Sequence, residues 1–332
     1  MVPLELVILI VVFGLLFDYT NGFHDAANVV STVIATKVLR PLSAIVMAAI
    51  LNTLGATQIS GAAHTITTGL VNIADATQLT VLCALIGAIV WNILTWYFGI
   101  PSSSSYALVG GLVGASLISE GFSTIIWSGV VYKVVLPMMI SPPIGFAIGF
   151  CLLSLLQKGI KKGLFDHQDR LFAKLQIFSA GLVALSHGLN DAQKSMGVIT
   201  LGLFAGGFIS STQIPFWVIL SCALMMGLGT GSGGFRIIRT VGYEITSLKP
   251  LQGFAAETSA SFVILAASFL GMPISSTHMI VGSITGVGVA KQPSKVHWGI
   301  GKKMVVAWLL TLPGSACVAF FVYWIFNHFI PK

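Results

Sequence analysis

Long apolar segments, separated by short polar gaps, follow one another along the whole chain. The first half contains five of them, at residues 4–36, 41–72, 79–98, 101–118 and 122–157. The second half also contains five, at residues 175–205, 214–235, 252–270, 273–290 and 304–328. About 20 apolar residues cross the hydrocarbon core of a bilayer as a helix. The pattern therefore predicts an all-α, polytopic membrane protein with about five hydrophobic segments in each half.

Three of these segments are longer than one span, namely 4–36, 41–72 and 122–157. Each contains residues that interrupt apolar helices, such as the pair Asn21-Gly22 in the first segment and the pair Pro142-Pro143 in the third. Interrupted helices kink, and helices longer than the bilayer is thick tilt. We therefore expect these segments to form broken or strongly tilted helices.

The composition supports this class of protein and excludes others. Of the 332 residues, 55% are hydrophobic and only 8% are charged, whereas a soluble domain carries about 25% charged residues. A soluble fold of this size, a disordered chain or a nucleic-acid-binding domain would need many more charges. The four cysteines each lie inside an apolar segment, which favours small core residues over disulfides or a metal site.

The basic residues indicate which loops face the cytoplasm. Most of them fall into four groups: Lys37 and Arg40; Lys158, Lys161, Lys162, Arg170 and Lys174; Arg236, Arg239 and Lys249; and Lys291, Lys295, Lys302 and Lys303. The remaining polar gaps hold Asp75, Glu120 or no charge. Because cytoplasmic loops are enriched in Lys and Arg, the four groups are expected inside and both chain termini outside.

This charge map makes the second half an upside-down copy of the first. Two sequence matches support the repeat: residues 21–28 match 187–194 at an offset of 166, and residues 99–106 match 271–278 at an offset of 172. An inverted-topology repeat is typical of secondary transporters. The chain is therefore expected to divide into a first repeat at 1–157, a cytoplasmic linker at 158–174 and a second repeat at 175–332.

The first match places one carboxylate near the middle of an apolar segment in each half. Asp25 and Asp191 are equivalent in the repeat, and a charged side chain there costs roughly 2.5–3.5 kcal/mol on insertion scales. A carboxylate binds Na⁺ or H⁺ well, and it accepts a hydrogen bond from a protonated oxyanion. We expect Asp25 and Asp191, with Asn21 and Asn190, to couple transport to a cation, with the two carboxylates as the candidate Na⁺ ligands. A buried aspartate that caps a broken helix is the structural alternative.

The second match predicts two re-entrant helical hairpins, at about residues 79–118 and 252–290. Pro101 and Pro273 each lie between two apolar segments that leave and return on one side of the membrane. The hydroxyl groups after each proline would surround a helix N-terminus, which binds anions through free N–H groups and the helix dipole. The residues predicted to bind the anion are Ser103, Ser104, Ser105, Ser275, Ser276 and Thr277.

Further polar residues lie near these motifs. Lys194 follows Asp191 by one turn and takes the place of Asn28 in the repeat, so it either contacts the anion or neutralises Asp191 or Glu257. Asn28, Gln193 and Lys194 are predicted anion ligands. Glu257 either pairs with Lys194 or carries coupling charge, and we predict a coupling role. Three histidines are either proton relays or ordinary hydrogen-bonding residues: His24, His187 and His278.

At these residues the chain resembles the inorganic phosphate transporter (PiT) family. Residues 22–28 and 188–194 resemble its Gly-x-x-Asp-x-x-Asn type signature, and residues 273–278 resemble its hairpin motif. The resemblance extends over essentially the whole chain. It implies symport of phosphate with Na⁺ or H⁺, in some members as a metal–phosphate complex, and a homodimeric assembly. The sequence departs from the pattern at Ser104-Ser105-Tyr106, where the family motif has Thr-Thr-His, and in its short central loop.

Two other functions are compatible with these motifs. The same architecture could carry sulfate or another oxyanion. Paired hairpins with Ser and His could also form an intramembrane lipid-phosphate phosphatase, but phosphoryl transfer needs a nucleophile, an acid and Arg at one site, and all four Arg residues lie in predicted cytoplasmic loops. We therefore expect a transporter in a bacterial or archaeal inner membrane. Its expected partners are phosphate, Na⁺ or H⁺ and lipid, without an organic cofactor or nucleic acid.

Overall fold

The computed structural model describes residues 3–58, 63, 69–72, 77–165, 168–272 and 274–329, and these residues are mainly helical. The first half contains α1 (Pro3–Ala35), α2 (Pro41–Ala56), α3 (Gln78–Tyr97), α4 (Ser104–Ser119) and α5 (Trp127–Lys161). The second half contains α6 (Gln168–Ala205), α7 (Phe216–Ser232), α8 (Phe235–Glu244), α9 (Pro250–Phe269), α10 (Ser276–Lys291) and α11 (Trp298–Phe329). Among the described residues, β structure is confined to one bridge between Val71 and Ile125.

The helices have the length and the apolar surface of a multi-pass membrane protein. Five of those described are long and apolar enough to cross a bilayer, namely α1, α3, α5, α6 and α11. The pair of α7 and α8 is a sixth candidate, with a bend of 61° between its two parts. Large apolar side chains such as Phe216, Phe262 and Phe269 are exposed, as expected of a surface that lies in lipid. The prediction of an all-α membrane protein is confirmed.

The first segment of each half is one continuous helix. Of the two forms predicted for residues 4–36, a broken or a strongly tilted helix, the broken one is therefore wrong. α1 runs unbroken through Gly22, and α6 runs unbroken through Gly188. Both glycines lie where two helices cross: the backbone of Met226 in α7 lies against Gly22, and that of Asn52 in α2 lies against Gly188. Without a Cβ atom, glycine lets two backbones approach this closely. Close packing, and not chain interruption, explains these glycines.

The segment at residues 122–157 also stays helical through its proline pair. Pro142 and Pro143 lie inside the regular part of α5, whose irregular region is a π-helical turn at Val131–Val135. That turn ends two residues before Pro137, whose ring would clash with the carbonyl group four residues earlier in a regular α-helix. The interruption therefore lies nearer the start of the helix than the sequence predicts.

The segment at residues 41–72 is shorter as a helix than its apolar length suggests. α2 ends at Ala56, and the amide of Thr57 donates a hydrogen bond of 3.3 Å to the carbonyl oxygen of Thr53. Most of the remaining segment lies outside the described residues. The expected break in this segment is consistent with the end of α2.

Two helical hairpins, α3–α4 and α9–α10, have boundaries close to the predicted ones. Gly99 (φ 65°) and Gly271 (φ 69°) end the first helix of each hairpin in the left-handed conformation, which glycine adopts without strain. In both turns the next amide bonds back to the carbonyl oxygen five residues earlier, at 2.9 Å. The repeated sequence thus forms the same turn twice. Pro273 lies outside the described residues.

Helix packing brings these hairpins to the middle of the bundle. α1 packs on α3, α6 and α7, and α6 packs on α2 and α9. α4 packs on α11, and α10 packs on α5. As a result, the central parts of α1 and α6 lie beside the N-termini of α4 and α10, where the predicted site residues meet.

Candidate functional site

Two carboxylates from different halves of the chain lie close together in the protein interior. Asp25 in α1 and Asp191 in α6 are both almost completely buried. His187, one turn before Asp191, places its Nε2 atom 2.9 Å from Asp191 Oδ2 and 3.8 Å from Asp25 Oδ2. One ligand atom from each of these three residues lies within 4.8 Å of the others. Two acids and one imidazole of this spacing can hold a cation or share a proton.

Asp25 is surrounded by hydrogen-bond donors from both hairpins. His24 Nδ1 lies 2.7 Å from Asp25 Oδ1. Ser104, at the start of α4, donates to Asp25 Oδ2 at 3.3 Å, and Thr277, at the start of α10, donates to Oδ1 at 3.5 Å. His24 Nε2 lies 3.1 Å from the hydroxyl oxygen of Thr95 in α3, which fixes the orientation of the ring.

Asp191 has the matching environment, with shorter contacts. Ser276, at the start of α10, donates to Asp191 Oδ2 at 2.7 Å. Ser105, at the start of α4, donates to Asp191 Oδ1 at 3.2 Å. Lys194, one turn further along α6, forms an ion pair with Asp191 Oδ1. Asp191 is therefore the only one of the two carboxylates to which the described residues supply a lysine.

The hydroxyl contacts of the two carboxylates follow the sequence repeat. At an offset of 172, Ser104 corresponds to Ser276, and Ser105 corresponds to Thr277. Each carboxylate accepts one hydrogen bond from the first hairpin and one from the second. The four hydroxyl groups predicted from the motif therefore converge on the two predicted acids.

Ser103 and Ser275, the other two predicted serines, have a different place. Ser103 accepts a hydrogen bond of 3.3 Å from the amide of Tyr106, and Ser275 accepts one of 3.3 Å from the amide of His278. They are the N-caps of α4 and α10. Capping fixes the first turn of each helix, so these residues orient the hydroxyl groups that follow them.

The predicted asparagines also lie in this region. Asn28 donates to Thr277 Oγ1 at 2.9 Å and to Ser276 Oγ at 3.4 Å. Asn190 donates to Ser268 Oγ in α9 at 2.9 Å. Within the described part of the chain, the amide oxygens of Asn21, Asn28 and Asn190 are buried and have no hydrogen-bond partner. Such acceptors can bind a cation or a protonated group.

Two predicted residues lie outside the central cluster. Glu257 accepts hydrogen bonds from Thr32 at 2.5 Å, from Gln176 at 3.1 Å and from Ser179. Its ion pair with Lys194, one of the two alternatives above, is not among the contacts of the described residues, where Lys194 pairs with Asp191. Gln193 donates to the backbone carbonyl oxygen of Gln58, just after the end of α2.

One acid was missed in the sequence, and the roles of three histidines were left open there. Asp18 is completely buried in α1, accepts a hydrogen bond of 2.5 Å from Ser195, and has an Oδ2 atom without a partner among the described residues. It lies two helical turns before Asp25, and this spacing in an apolar segment could have identified it. His187 contacts both carboxylates, whereas His278 packs against Tyr106 and Trp308 at ring distances of 5.2 and 4.0 Å.

The chain forms a multi-pass helical bundle, and its buried acids contact hydroxyl groups at two helix N-termini. These features define a membrane transport protein. Comparison with known proteins agrees. The model of the phosphate transporter family matches residues 21–167 and 160–319. The chain belongs to this family.

The relatives cover nearly the whole chain. A protein of Bacillus subtilis is 41% identical over 98% of both chains, and one of Rhizobium meliloti is 45% identical over 93% of both. Each is named "Probable low-affinity inorganic phosphate transporter". A solved structure named as the sodium-dependent phosphate transporter superimposes with a TM-score of 0.88, at 25% identity, and the match covers 98% of this chain and 100% of that one. These proteins are named as transporters, and the enzyme alternative is set aside.

Proposed function

We propose that this protein carries inorganic phosphate across a bacterial inner membrane together with a cation, either Na⁺ or H⁺. The observation that carries the proposal is the contact pattern of Asp25 and Asp191. Each of these acids, from a different half of the chain, accepts one hydroxyl group from each of the two hairpins. A carrier must bind its substrate and its coupling ion at one place that both halves control, and this cluster meets that requirement.

The donors and acceptors of the cluster fit a protonated phosphate. The hydroxyl groups of Ser104, Ser105, Ser276 and Thr277, with the first turns of α4 and α10, can donate to phosphate oxygens. At neutral pH phosphate keeps at least one O–H group, which can donate to Asp25 or Asp191. The substrate thus finds partners for both its oxygens and its proton.

The same carboxylates are proposed to bind the coupling cation. Asp25 Oδ2, Asp191 Oδ2 and the unpartnered amide oxygen of Asn28 are oxygen ligands of the kind that hard cations prefer. A proton could instead move between the carboxylates and His24 or His187, which contact them. Both forms of coupling use the same residues, so the gradients must be separated by experiment.

The recurring contacts also support an inverted repeat with re-entrant hairpins. The packing of α1 on α7 and α3 recurs as that of α6 on α2 and α9, and the packing of α4 on α11 recurs as that of α10 on α5. We propose that residues 1–157 and 175–332 are the two repeats, with residues 158–174 as the cytoplasmic linker. Alternating access then arises when the repeats move relative to each other around the fixed cluster. The homodimer and the outside location of both termini are part of the same proposal.

Uptake of labelled phosphate into proteoliposomes tests this function. A Na⁺ gradient and a pH gradient are imposed separately, with protein-free vesicles as the control. Accumulation above equilibrium driven by either gradient supports symport and identifies the cation. Equal phosphate levels inside and outside under both gradients would reject coupled transport.

A further inference from the structure

We propose that the ammonium group of Lys194 is a built-in cation that takes the place of one exchangeable Na⁺ at Asp191. This inference rests on the proposed symport and concerns its stoichiometry. Lys194 then occupies the Oδ1 side of Asp191, and the dissolved coupling cation is left to Asp25 and Asp191 Oδ2.

Lys194 lies where a bound cation would be expected. Its Nζ atom contacts Asp191 Oδ1, lies 2.5 Å from Ser105 Oγ and lies 2.8 Å from the backbone carbonyl oxygen of Ile274. A carboxylate, a hydroxyl and a carbonyl oxygen are the oxygen ligands that hard cations use. Lys194 is 1% exposed, so its charge is held inside the protein.

The donors of Lys194 are all used within the protein. An ammonium group has three N–H donors, and the three oxygen atoms of Asp191, Ser105 and Ile274 account for them. None of the three is left to face an anion. The geometry therefore assigns Lys194 a role in charge compensation, in preference to direct binding of phosphate.

The equivalent position in the first half carries no charge. Asn28 corresponds to Lys194 at an offset of 166, and its amide group donates to Thr277 Oγ1 at 2.9 Å. Thr277 is the counterpart of Ser105, which Lys194 contacts. The two halves therefore share this contact, but at this position only the second half has a lysine.

The hydroxyl contacts of the two acids also differ in length. Ser276 and Ser105 donate to Asp191 at 2.7 and 3.2 Å, whereas Ser104 and Thr277 donate to Asp25 at 3.3 and 3.5 Å. The charged or titratable groups that contact Asp25 in the described structure are His24 and His187. Asp25 thus needs a proton on a histidine or a cation from solution, while Asp191 has Lys194.

The test is the replacement Lys194→Asn, which gives the second half the residue of the first. Uptake of ³²P-labelled phosphate and uptake of ²²Na⁺ are measured together in proteoliposomes. The proteins compared are the wild type, Lys194→Asn and the control Lys303→Asn. Lys303 is exposed near the start of α11. We expect Lys194→Asn to take up about one more Na⁺ per phosphate than the other two proteins. An unchanged ratio in an active variant would overturn the proposal.

If Lys194→Asn folds but does not transport phosphate, a second measurement tests the proposal. The thermal midpoint of the purified protein is followed against NaCl, with choline chloride at equal ionic strength as the control. We expect Na⁺ to stabilise Lys194→Asn by several degrees more than the wild type, and the added replacement Asp191→Asn to remove that difference. No extra stabilisation by Na⁺, or a variant that does not fold at any Na⁺ concentration, would overturn the proposal.

This measurement also separates the inference from the proposed function. If the wild type moves no phosphate under either gradient, the function fails. The comparison of Na⁺ binding by Lys194→Asn and the wild type then still decides whether Lys194 takes the place of a cation.

Discussion

The Nε2 atom of His187 lies 2.9 Å from Asp191 Oδ2, one turn away on the same helix. The same nitrogen lies 3.8 Å from Asp25 Oδ2 on α1. His187 therefore stands between the two acids, and a proton on it would offset the charge of both. This relationship links the two halves of the chain at one buried point, and it makes the acids the first target for mutation.

Replacement of Asp25 by asparagine is expected to abolish gradient-driven phosphate uptake while the protein remains folded. The amide is isosteric and keeps one acceptor for Ser104 or Thr277, but it removes the negative charge that is proposed to bind the cation. Uptake in proteoliposomes and size-exclusion chromatography measure the two effects. Asp169→Asn, at an exposed position near the start of α6, is the matched control. Normal uptake by Asp25→Asn would reject its coupling role.

Replacement of Asp191 by asparagine is expected to cost stability as well as uptake. It leaves the Lys194 ammonium buried without its ion-pair partner, and removal of one partner of a buried pair costs about 3–5 kcal/mol. Asp25→Asn leaves no lysine unpaired and should lower the thermal midpoint by less. The double variant Asp191→Asn/Lys194→Asn should recover part of the loss. Equal midpoints for the two single variants would contradict this account.

The inverted repeat predicts which loops are accessible from each side. Single cysteines replace Glu120, Ser210, Lys161 and Lys295 in a background in which the two exposed native cysteines, Cys151 and Cys317, are replaced by alanine. Cysteines at 120 and 210 should react with a membrane-impermeant thiol reagent from outside, and those at 161 and 295 only after the membrane is opened. Reaction of all four from one side would exclude the inverted topology.

The preferred oxyanion follows from its proton. Phosphate and arsenate can donate a hydrogen bond to Asp25 or Asp191, whereas sulfate would face these acceptors with acceptors of its own. A buried acceptor without a donor costs roughly 1–3 kcal/mol, and 1.4 kcal/mol is about tenfold in affinity. Arsenate should compete with labelled phosphate nearly as well as phosphate itself, and sulfate about tenfold less well or worse. Equal competition by sulfate and arsenate would favour the sulfate alternative.

The two crossing glycines are expected to matter for stability. A methyl group at Gly22 would overlap the backbone of α7, and one at Gly188 would overlap the backbone of α2. Overpacking of this kind costs typically about 1–3 kcal/mol, so Gly22→Ala and Gly188→Ala should lower the thermal midpoint in detergent. Gly301→Ala, in α11 with open space around its Cβ position, is the control and should not. Unchanged midpoints for all three would show that these contacts relax easily.

Local features of the sequence were enough to predict the helices and most of the candidate chemistry. Apolar length is a local property, and it predicted ten segments, which correspond to every helix named above except the short α8. Hairpin turns are also local, because Gly99 and Gly271 end helices and Ser103 and Ser275 begin them through contacts a few residues away. The repeated motif then pointed to the acids and hydroxyl groups that form the cluster.

The contacts between these groups depend on how remote helices pack together. Ser105 contacts Asp191 and Thr277 contacts Asp25 across 86 and 252 positions of chain, and no local pattern fixes such pairs. The choice of Asp191 over Glu257 as the partner of Lys194 is of the same kind. Gly22 resembles a helix breaker in the sequence, and only the backbone of α7 against it shows that it is a packing position. Distances between remote segments depend on how whole helices cross. The order of residues along one helix does not specify that crossing.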